Sequence, residues 1–251
     1  MLLVDRYQIR YSNVTKPDGF SLIEMAVVLA IVGLLLAGLL PTLSSQMDMK
    51  RINETRVQMD EIRASLIGFA VANGRLPCPD TDTPRDGIEN VQAPSVTLNY
   101  PQAGQSTKTY SCTQSEGGLP YNQIGVSPLD PYNSAYIYRV QPAFAQKDEV
   151  YDSLNNLITT TYFSLTTNSS LIIRNSQACA LPRLTDNAVA VVVSKGKNWA
   201  QTPAIPSDEN ENINNNNEFV SHDFTPDFDD LVVWISPNTL FNRMVTAGKL
   251  P

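Results

Sequence analysis

Carboxylates gather at several places in the sequence, and carboxylate oxygens are the ligands that Ca²⁺ prefers in proteins. The first group, Asp80, Asp82, Asp86 and Glu89, follows a cysteine in a segment rich in proline and aspartate. The spacing would allow oxygen ligands to converge, but the tripeptide Thr-Pro-Arg at 83–85 interrupts any EF-hand-like pattern. We therefore interpret the group as a solvated loop, with Asp80, Asp82 and Asp86 as calcium ligands in the alternative interpretation.

Side chains suited to catalysis are sparse. The chain has one histidine, His222, which could form an acid–base pair with its neighbour Asp223. No pattern indicates an activated nucleophile, so a surface histidine is the better interpretation. The stretch Ser-Lys-Gly-Lys at 194–197 lacks the Gly-x4-Gly-Lys-Ser/Thr frame of a phosphate loop and predicts a turn after a strand. We expect a protein that is not an enzyme and needs no cofactor.

Charge and cysteine content narrow the class further. The 251 residues carry a formal net charge of -7, which disfavours nucleic-acid binding because phosphate contacts need clustered Lys and Arg. Three cysteines, Cys78, Cys112 and Cys179, are too few for a disulfide scaffold. They permit one disulfide and one remaining thiol in an oxidising compartment.

An apolar run covers residues 20–40, and its one charged side chain is Glu24. A bilayer core of about 30 Å needs about 20 such residues in a helix, so the run is long enough to span a membrane. A secretory signal peptide would need a small-residue cleavage site after the run, and none follows Pro41. A plain membrane anchor would leave Glu24 unexplained, because a carboxylate in lipid is costly.

The segment 19–25, Gly-Phe-Ser-Leu-Ile-Glu-Met, resembles the cleavage and methylation motif of type IV prepilins. The resemblance implies that a prepilin peptidase cuts between Gly19 and Phe20 and methylates the new amino terminus. It also implies that Glu24 pairs with the terminal amine of a neighbouring subunit during assembly. Gly33 and Pro41 fall where pilins carry a helix-weakening glycine and a kinking proline.

The apolar run continues into an amphipathic pattern. Apolar residues recur near helical spacing between 47 and 69, with charged residues on the other face. The pair Asn73 and Gly74 is a helix stop, since both residues tolerate the left-handed conformation. The sequence therefore predicts one helix from about residue 20 to 72, with its first half in lipid or a filament core and its second half packed on a globular domain.

Residues 75–132 are rich in Pro, Asp, Asn and Gly and show little periodicity, which predicts a long irregular stretch. Cys78 and Cys112 bracket much of it, and we predict that they form a disulfide. Two separate buried thiols are the alternative, and Cys179 could replace either partner.

Strand patterns follow at 135–140, 156–166, 171–173, 188–193 and 231–235, and residues 237–245 predict a short closing helix. The expected fold class is α+β. A long N-terminal helix packs on a C-terminal antiparallel sheet domain, next to a disulfide-stapled loop region. This is also the arrangement that the pilin resemblance implies.

Two further acidic groups lie near the C-terminus. The Asn-rich segment 208–218 predicts a flexible surface loop. Some pseudopilins use a C-terminal loop for calcium, so the resemblance makes Asp208 a further calcium candidate. A third group contains Asp223, Asp227, Asp229 and Asp230. If two of these acidic groups lay close together in the folded chain, cation binding would be favoured.

These observations predict a minor type IV pilin or pseudopilin with a leader at 1–19, an assembly helix at 20–74 and a globular domain at 75–251. The expected partners are other pilin subunits, the prepilin peptidase and the inner-membrane assembly platform. The expected location is the bacterial inner membrane, with the C-terminal domain in the periplasm, and afterwards the filament. The alternative is a single-span, membrane-anchored periplasmic enzyme or ligand-binding protein.

Overall fold

The computed structural model describes residues 19–99, 104–178, 181–205 and 207–250, with side chains described throughout except at 36–44 and 98–99. The chain divides into two compact units, Met1–Asp48 and Met49–Pro251. Cys179 lies outside the described residues, so its predicted alternative pairings stay untested.

Five helices and eleven strands lie in the described part of the chain. The helices are α1 (Leu22–Asn73), α2 (Tyr121–Ile124), α3 (Pro142–Ala145), α4 (Asp208–Glu211) and α5 (Pro237–Thr246). The strands are β1 (Ser95–Asn99), β2 (Gln105–Tyr110), β3 (Glu116–Gly118), β4 (Ile137–Val140), β5 (Lys147–Tyr151), β6 (Leu157–Thr161), β7 (Leu171–Arg174), β8 (Arg183–Ala188), β9 (Ala190–Ser194), β10 (Glu218–Val220) and β11 (Leu231–Ile235).

Helix α1 has 52 residues and agrees with the helix predicted from the sequence. It ends at the predicted stop, where Gly74 has a φ of +81° and its N–H donates to the Ala70 carbonyl. A side chain at Gly74 would also collide with the Tyr162 ring, 2.6 Å from the position of an added Cβ. Within the described ranges, no helix combines the length and apolar character needed to cross a membrane.

The strands form three sheets rather than the single antiparallel sheet that we predicted. Two are fully antiparallel, with strand orders β11-β9-β4-β3 and β1-β2-β5-β6. The third has the order β10-β7-β8, and its β10–β7 pair is parallel. Antiparallel pairing dominates, with seven of the eight strand pairs among the described residues.

The main core lies between the second half of α1 and the sheet that contains β9. Met59, Ile62, Leu66 and Ala70 form one stripe of α1 at helical spacing, and all four are buried. They pack in one cluster with buried residues of β4, β9, α3 and α5, including Tyr138, Val140, Ala190, Val192, Phe144 and Leu240.

Strand β9 is buried on both faces. Ala190 and Val192 belong to the main core, whereas Val191 and Val193 face a second cluster with Leu171, Ile173 and Phe219. A strand covered on both faces needs a continuous apolar run rather than an alternating pattern, which explains the run at 188–193.

The segment after α1 is less irregular than predicted. Cys78 and Cys112 form a disulfide, which confirms the predicted pair. The interpretation of 75–132 as a long irregular stretch is wrong, because β1, β2, β3 and α2 lie within it. Strand β2, Gln-Ser-Thr-Lys-Thr-Tyr, has no apolar face and therefore lacks the alternation by which strands are recognised.

We predict that truncating the α1 stripe destabilises the fold. Leu66→Ala removes a fully buried side chain and should lower the free energy of unfolding by about 2–5 kcal/mol, the usual cost of such a cavity. Val57→Ala, on the same helix but 59% exposed, is the matched control and should change it by less than about 0.5 kcal/mol. Urea unfolding of the detergent-solubilised chain measures both, and equal effects would contradict the packing of this stripe.

Candidate processing and assembly site

The N-terminal motif forms a defined helix start. Gly19, Phe20 and Ser21 precede α1 in non-helical conformation. The Ser21 N–H donates to Glu24 Oε2 at 2.9 Å, and the Glu24 N–H donates to Ser21 Oγ at 3.2 Å. These reciprocal bonds form a capping box, which satisfies two backbone donors at the start of the helix.

The capping box gives Glu24 a local role that our sequence analysis missed. The signal was available, because Ser-x-x-Glu ahead of an apolar run is the sequence form of this cap. Both capping side chains follow the predicted cut between Gly19 and Phe20, so removal of residues 1–19 would leave the cap intact. The Glu24 side chain is exposed and is therefore open to a cation from another chain.

Apart from Glu24, the first turns of α1 are apolar on all sides. Every residue from 20 to 35 is exposed, including Phe20 at 83% and Leu22 at 89%. A helix without a polar face is stable in lipid or when other helices cover it. Helix α1 continues through Gly33 and Pro41, and an added Cβ at Gly33 would meet nothing within 4 Å. The helix-weakening role of these two residues stays a prediction.

Comparison with protein families agrees with this geometry. Residues 16–40 match the family model of the prokaryotic N-terminal methylation motif. This segment is a type IV prepilin signature. Comparison of the chain with curated proteins and with solved structures gives no match. The prepilin signature thus covers the capping box and the exposed apolar turns, and it supports a pilin-like protein.

The first acidic group is built around a buried aspartate. Carboxylate oxygens of Asp80, Asp82 and Asp86 lie within 4.8 Å of one another. Asp80 is fully buried and accepts hydrogen bonds from the N–H groups of Gly87, at 2.7 Å, and Asp82, at 3.0 Å. Asp80 therefore fixes the loop at 80–87, while Asp82 and Asp86 are exposed.

Glu89, the fourth member of the predicted group, has a separate function in the structure. Its carboxylate forms a bidentate ion pair with Arg75, with both distances 2.7 Å, and accepts from the Cys78 N–H at 2.8 Å. Burial alone would raise the pKa of Glu89, but these hydrogen bonds and the Arg75 charge hold it below its usual value. The pair ties the end of α1 to the disulfide.

Asp208 lies in a hydrogen-bonded group of its own. It accepts from the Gln177 N–H at 2.6 Å and from Ser176 Oγ at 3.2 Å, and its Oδ2 lies 3.1 Å from His222 Nε2. The structure does not join it to Asp80, Asp82 and Asp86 in any acidic cluster of the described residues. His222 is half-buried and stacks on Phe228, so it is a packed histidine at the surface and not a fully solvated one.

The Asn-rich segment 208–218 is ordered rather than a flexible loop, which corrects the second acidic prediction. Ser207 caps α4 by accepting from the Asn210 N–H at 3.1 Å. Glu209, Glu211 and Asn212 are buried. Asn212 binds the N–H and the carbonyl of Val220 through its side-chain amide, so the asparagines act as backbone partners.

This folding brings the second and third acidic groups together. Carboxylate oxygens of Glu209, Asp229 and Asp230 lie within 4.8 Å of one another, and Glu209 and Asp230 are buried. Glu209 accepts from Asn198 Nδ2, at 2.8 and 3.0 Å, and Asp230 Oδ2 accepts from Asn212 Nδ2 at 2.8 Å. Three such carboxylates can hold a cation or share a proton.

The electrostatics of this cluster favour a proton on Asp230. Burial raises the pKa of Asp230 to about 7, and the charges of Glu209 and Asp229 add to this effect against the hydrogen bond from Asn212. Burial also raises the pKa of Asp229. The cluster therefore changes its charge near neutral pH.

We predict a pH-dependent stability that depends on Asp230. Its folded-state pKa of about 7 exceeds the ordinary value of 3.8, so the folded chain binds the proton more tightly than the unfolded chain. Stability should fall as the pH rises from 5 to 8, by up to about 3 kcal/mol from this group. Asp230→Asn should remove this loss and make the variant more stable than the parent at pH 8.

The matched control is Asp227→Asn, an exposed neighbour that undergoes the same change of charge. Urea unfolding at pH 5 and pH 8, with a chelator in all buffers, gives the comparison. The same pH profile for the parent chain and both variants would show that the buried carboxylate does not carry the effect.

Proposed function

We propose that this chain is a minor structural subunit of a type IV pilus or pseudopilus, without catalytic activity. The observation that carries the proposal is the methylation motif at 16–40, which includes the exposed helical turns whose one charged residue is Glu24. Such turns need a cover of lipid or of other apolar helices, and a filament subunit uses both in succession.

In this proposal the leader is residues 1–19, the assembly helix is 20–74 and the globular domain is 75–251. The prepilin peptidase cuts after Gly19. Residues 20–40 hold the precursor in the inner membrane, with the globular domain in the periplasm, and the assembly platform then transfers the helix into the filament. The size of the folded unit Met49–Pro251 favours a minor subunit over the bulk pilin.

Glu24 has two roles in this proposal. It closes the capping box, and its charge pairs with the terminal amine of Phe20 on a neighbouring subunit. A carboxylate among apolar helices is costly until a cation neutralises it, so the pair would form only in the correct axial position. The exposure of the Glu24 carboxylate supports this role.

A ligand-binding protein anchored by the same helix is the second candidate. The observation that favours it is an open cavity of about 830 Å³ between α1 and α5, lined by Arg63, Trp234 and Arg243 among others. This candidate gives no role to the charge of Glu24 and does not require cleavage after Gly19.

The mass and N-terminal sequence of the membrane-extracted chain separate the two candidates. We expect a methylated Phe20 terminus in cells with the prepilin peptidase and an uncut terminus in cells without it. An intact terminus in both strains, or a cut beyond Pro41, would overturn the subunit proposal and leave the anchored ligand-binding protein.

We predict that assembly needs the charge of Glu24 and not only its cap. Glu24→Gln keeps a side chain that can close a capping box but has no charge, and it should reduce filament incorporation at least tenfold. Ser21→Ala is the matched control, because it removes a capping hydroxyl and retains the charge, and it should incorporate nearly normally. Chain recovered in sheared filaments, relative to processed chain in membranes, measures the effect.

If Glu24→Gln were incorporated into filaments normally and Ser21→Ala were not, Glu24 would have a capping role alone. Processing of each variant, measured by mass, ensures that the loss arises at assembly and not at cleavage.

A further inference from the structure

The sheet β1-β2-β5-β6 stands apart from both cores. Neither hydrophobic cluster in the described part of the chain includes a residue of these four strands. The central strands β2 and β5 are half-buried at every position, whereas the described side chains of β1 and most of β6 are exposed. Both faces of the sheet are therefore partly exposed to solvent.

Among the described residues, the two edges of this sheet carry little protection against pairing, apart from a register irregularity at Val150 and Tyr151 where β5 pairs with β6. Strands β1, Ser-Val-Thr-Leu-Asn, and β6, Leu-Ile-Thr-Thr-Thr, contain no charged residue and no proline. Proteins usually block an exposed edge with lysine, proline or a covering loop, because its free N–H and C=O groups bind other strands. No strand of the described residues pairs with the outer edge of β1 or of β6.

The direction of the strands makes a second copy of this chain a suitable partner. All three strand pairs are antiparallel, so β1 and β6 run in opposite directions. A copy moved sideways by one sheet width therefore places its β1 antiparallel to β6 of the first copy. The twist of the sheet adds a rotation to each such step, and the same step can be repeated.

The register within the sheet shows which residues would meet. One row runs across it through Thr97, Thr107, Val150 and Thr159. Continuing this row places Thr159 of one copy opposite Thr97 of the next.

The neighbouring positions then pair favourably as well. Thr161 meets Ser95, and Thr160 meets Val96. Hydroxyl pairs and Thr–aliphatic pairs stabilise antiparallel strands, and no like charges meet, although each chain carries a net charge of -7.

We propose that β6 of one copy pairs with β1 of the next, so that the sheets of successive copies form one continuous antiparallel sheet. The contact is head-to-tail and does not close, so it can join short runs of copies of this minor subunit. A two-fold β6–β6 pair would leave both β1 edges bare, whereas the head-to-tail contact covers β1 and β6 together. The contact involves no residue of the prepilin signature and is distinct from the proposed role of the N-terminal helix.

Cysteine cross-linking of the full chain in membranes tests this pairing. In a Cys179→Ser background, Thr97→Cys and Thr159→Cys are made on separate chains and co-expressed, then oxidised. We expect a disulfide-linked dimer from the mixture and at least fivefold less from either variant alone. A chain with both substitutions should give a ladder of dimers, trimers and higher species.

Two controls establish specificity. Asn242→Cys, exposed on α5, measures random collision. Adding Thr161→Lys to the doubly substituted chain should abolish the ladder, because a lysine on the edge strand blocks pairing with another chain. The lysine can pair with Asp148 of its own sheet, so the sheet itself should still form. Thr161→Val at the same position should retain it.

A yield no higher than that of Asn242→Cys, or an equal dimer yield from Thr159→Cys alone, would overturn the head-to-tail pairing. The mass of the N-terminus is measured on the same membranes. Loss of the ladder with a processed Phe20 terminus would reject only the sheet contact, and a ladder with an unprocessed terminus would reject only the subunit proposal.

Discussion

The burial of one stripe of α1 is the interaction on which the globular unit depends. Met59, Ile62, Leu66 and Ala70 close the core over β4 and β9, and β9 in turn separates the two hydrophobic clusters. Since β9 is covered on both faces, it links the helix side of the fold to the β7 and β10 side. A change at the stripe therefore affects the packing of both clusters, because close-packed interiors transmit small shifts.

Buried polar groups hold the segments that the hydrophobic core does not fix. The Arg75–Glu89 pair and the Cys78–Cys112 disulfide hold the chain directly after α1, and Asp80 orders the loop that follows. Near the C-terminus, asparagines satisfy the buried carboxylates Glu209 and Asp230. Asparagine suits this position because it donates hydrogen bonds without the hydration cost of a buried cation.

The proposed assembly uses surfaces that this core does not need. The apolar turns at 20–35 and the edges of the β1-β2-β5-β6 sheet both expose groups that are usually covered. In the two proposals, the first surface would bind by apolar contact and by the charge of Glu24, and the second by backbone hydrogen bonds. The two contacts would restrict different movements of a subunit. The Glu24 pair would set its axial position, and the strand pairing would set its register against the neighbouring copy.

The prepilin signature and helix α1 with its stop at Gly74 could be predicted from the sequence, because each depends on neighbouring residues or on a sharp local pattern. The pairing of Cys78 with Cys112 was predicted with alternatives, and the tertiary structure decided it. The apolar runs of β9 and β11 were equally readable. Only the tertiary structure showed that the strands form three sheets, since β2 and β8 carry no apolar alternation and β10 has only three residues. It also decided that Glu209 meets Asp229 and Asp230, because side chains twenty residues apart converge only after the backbone has folded.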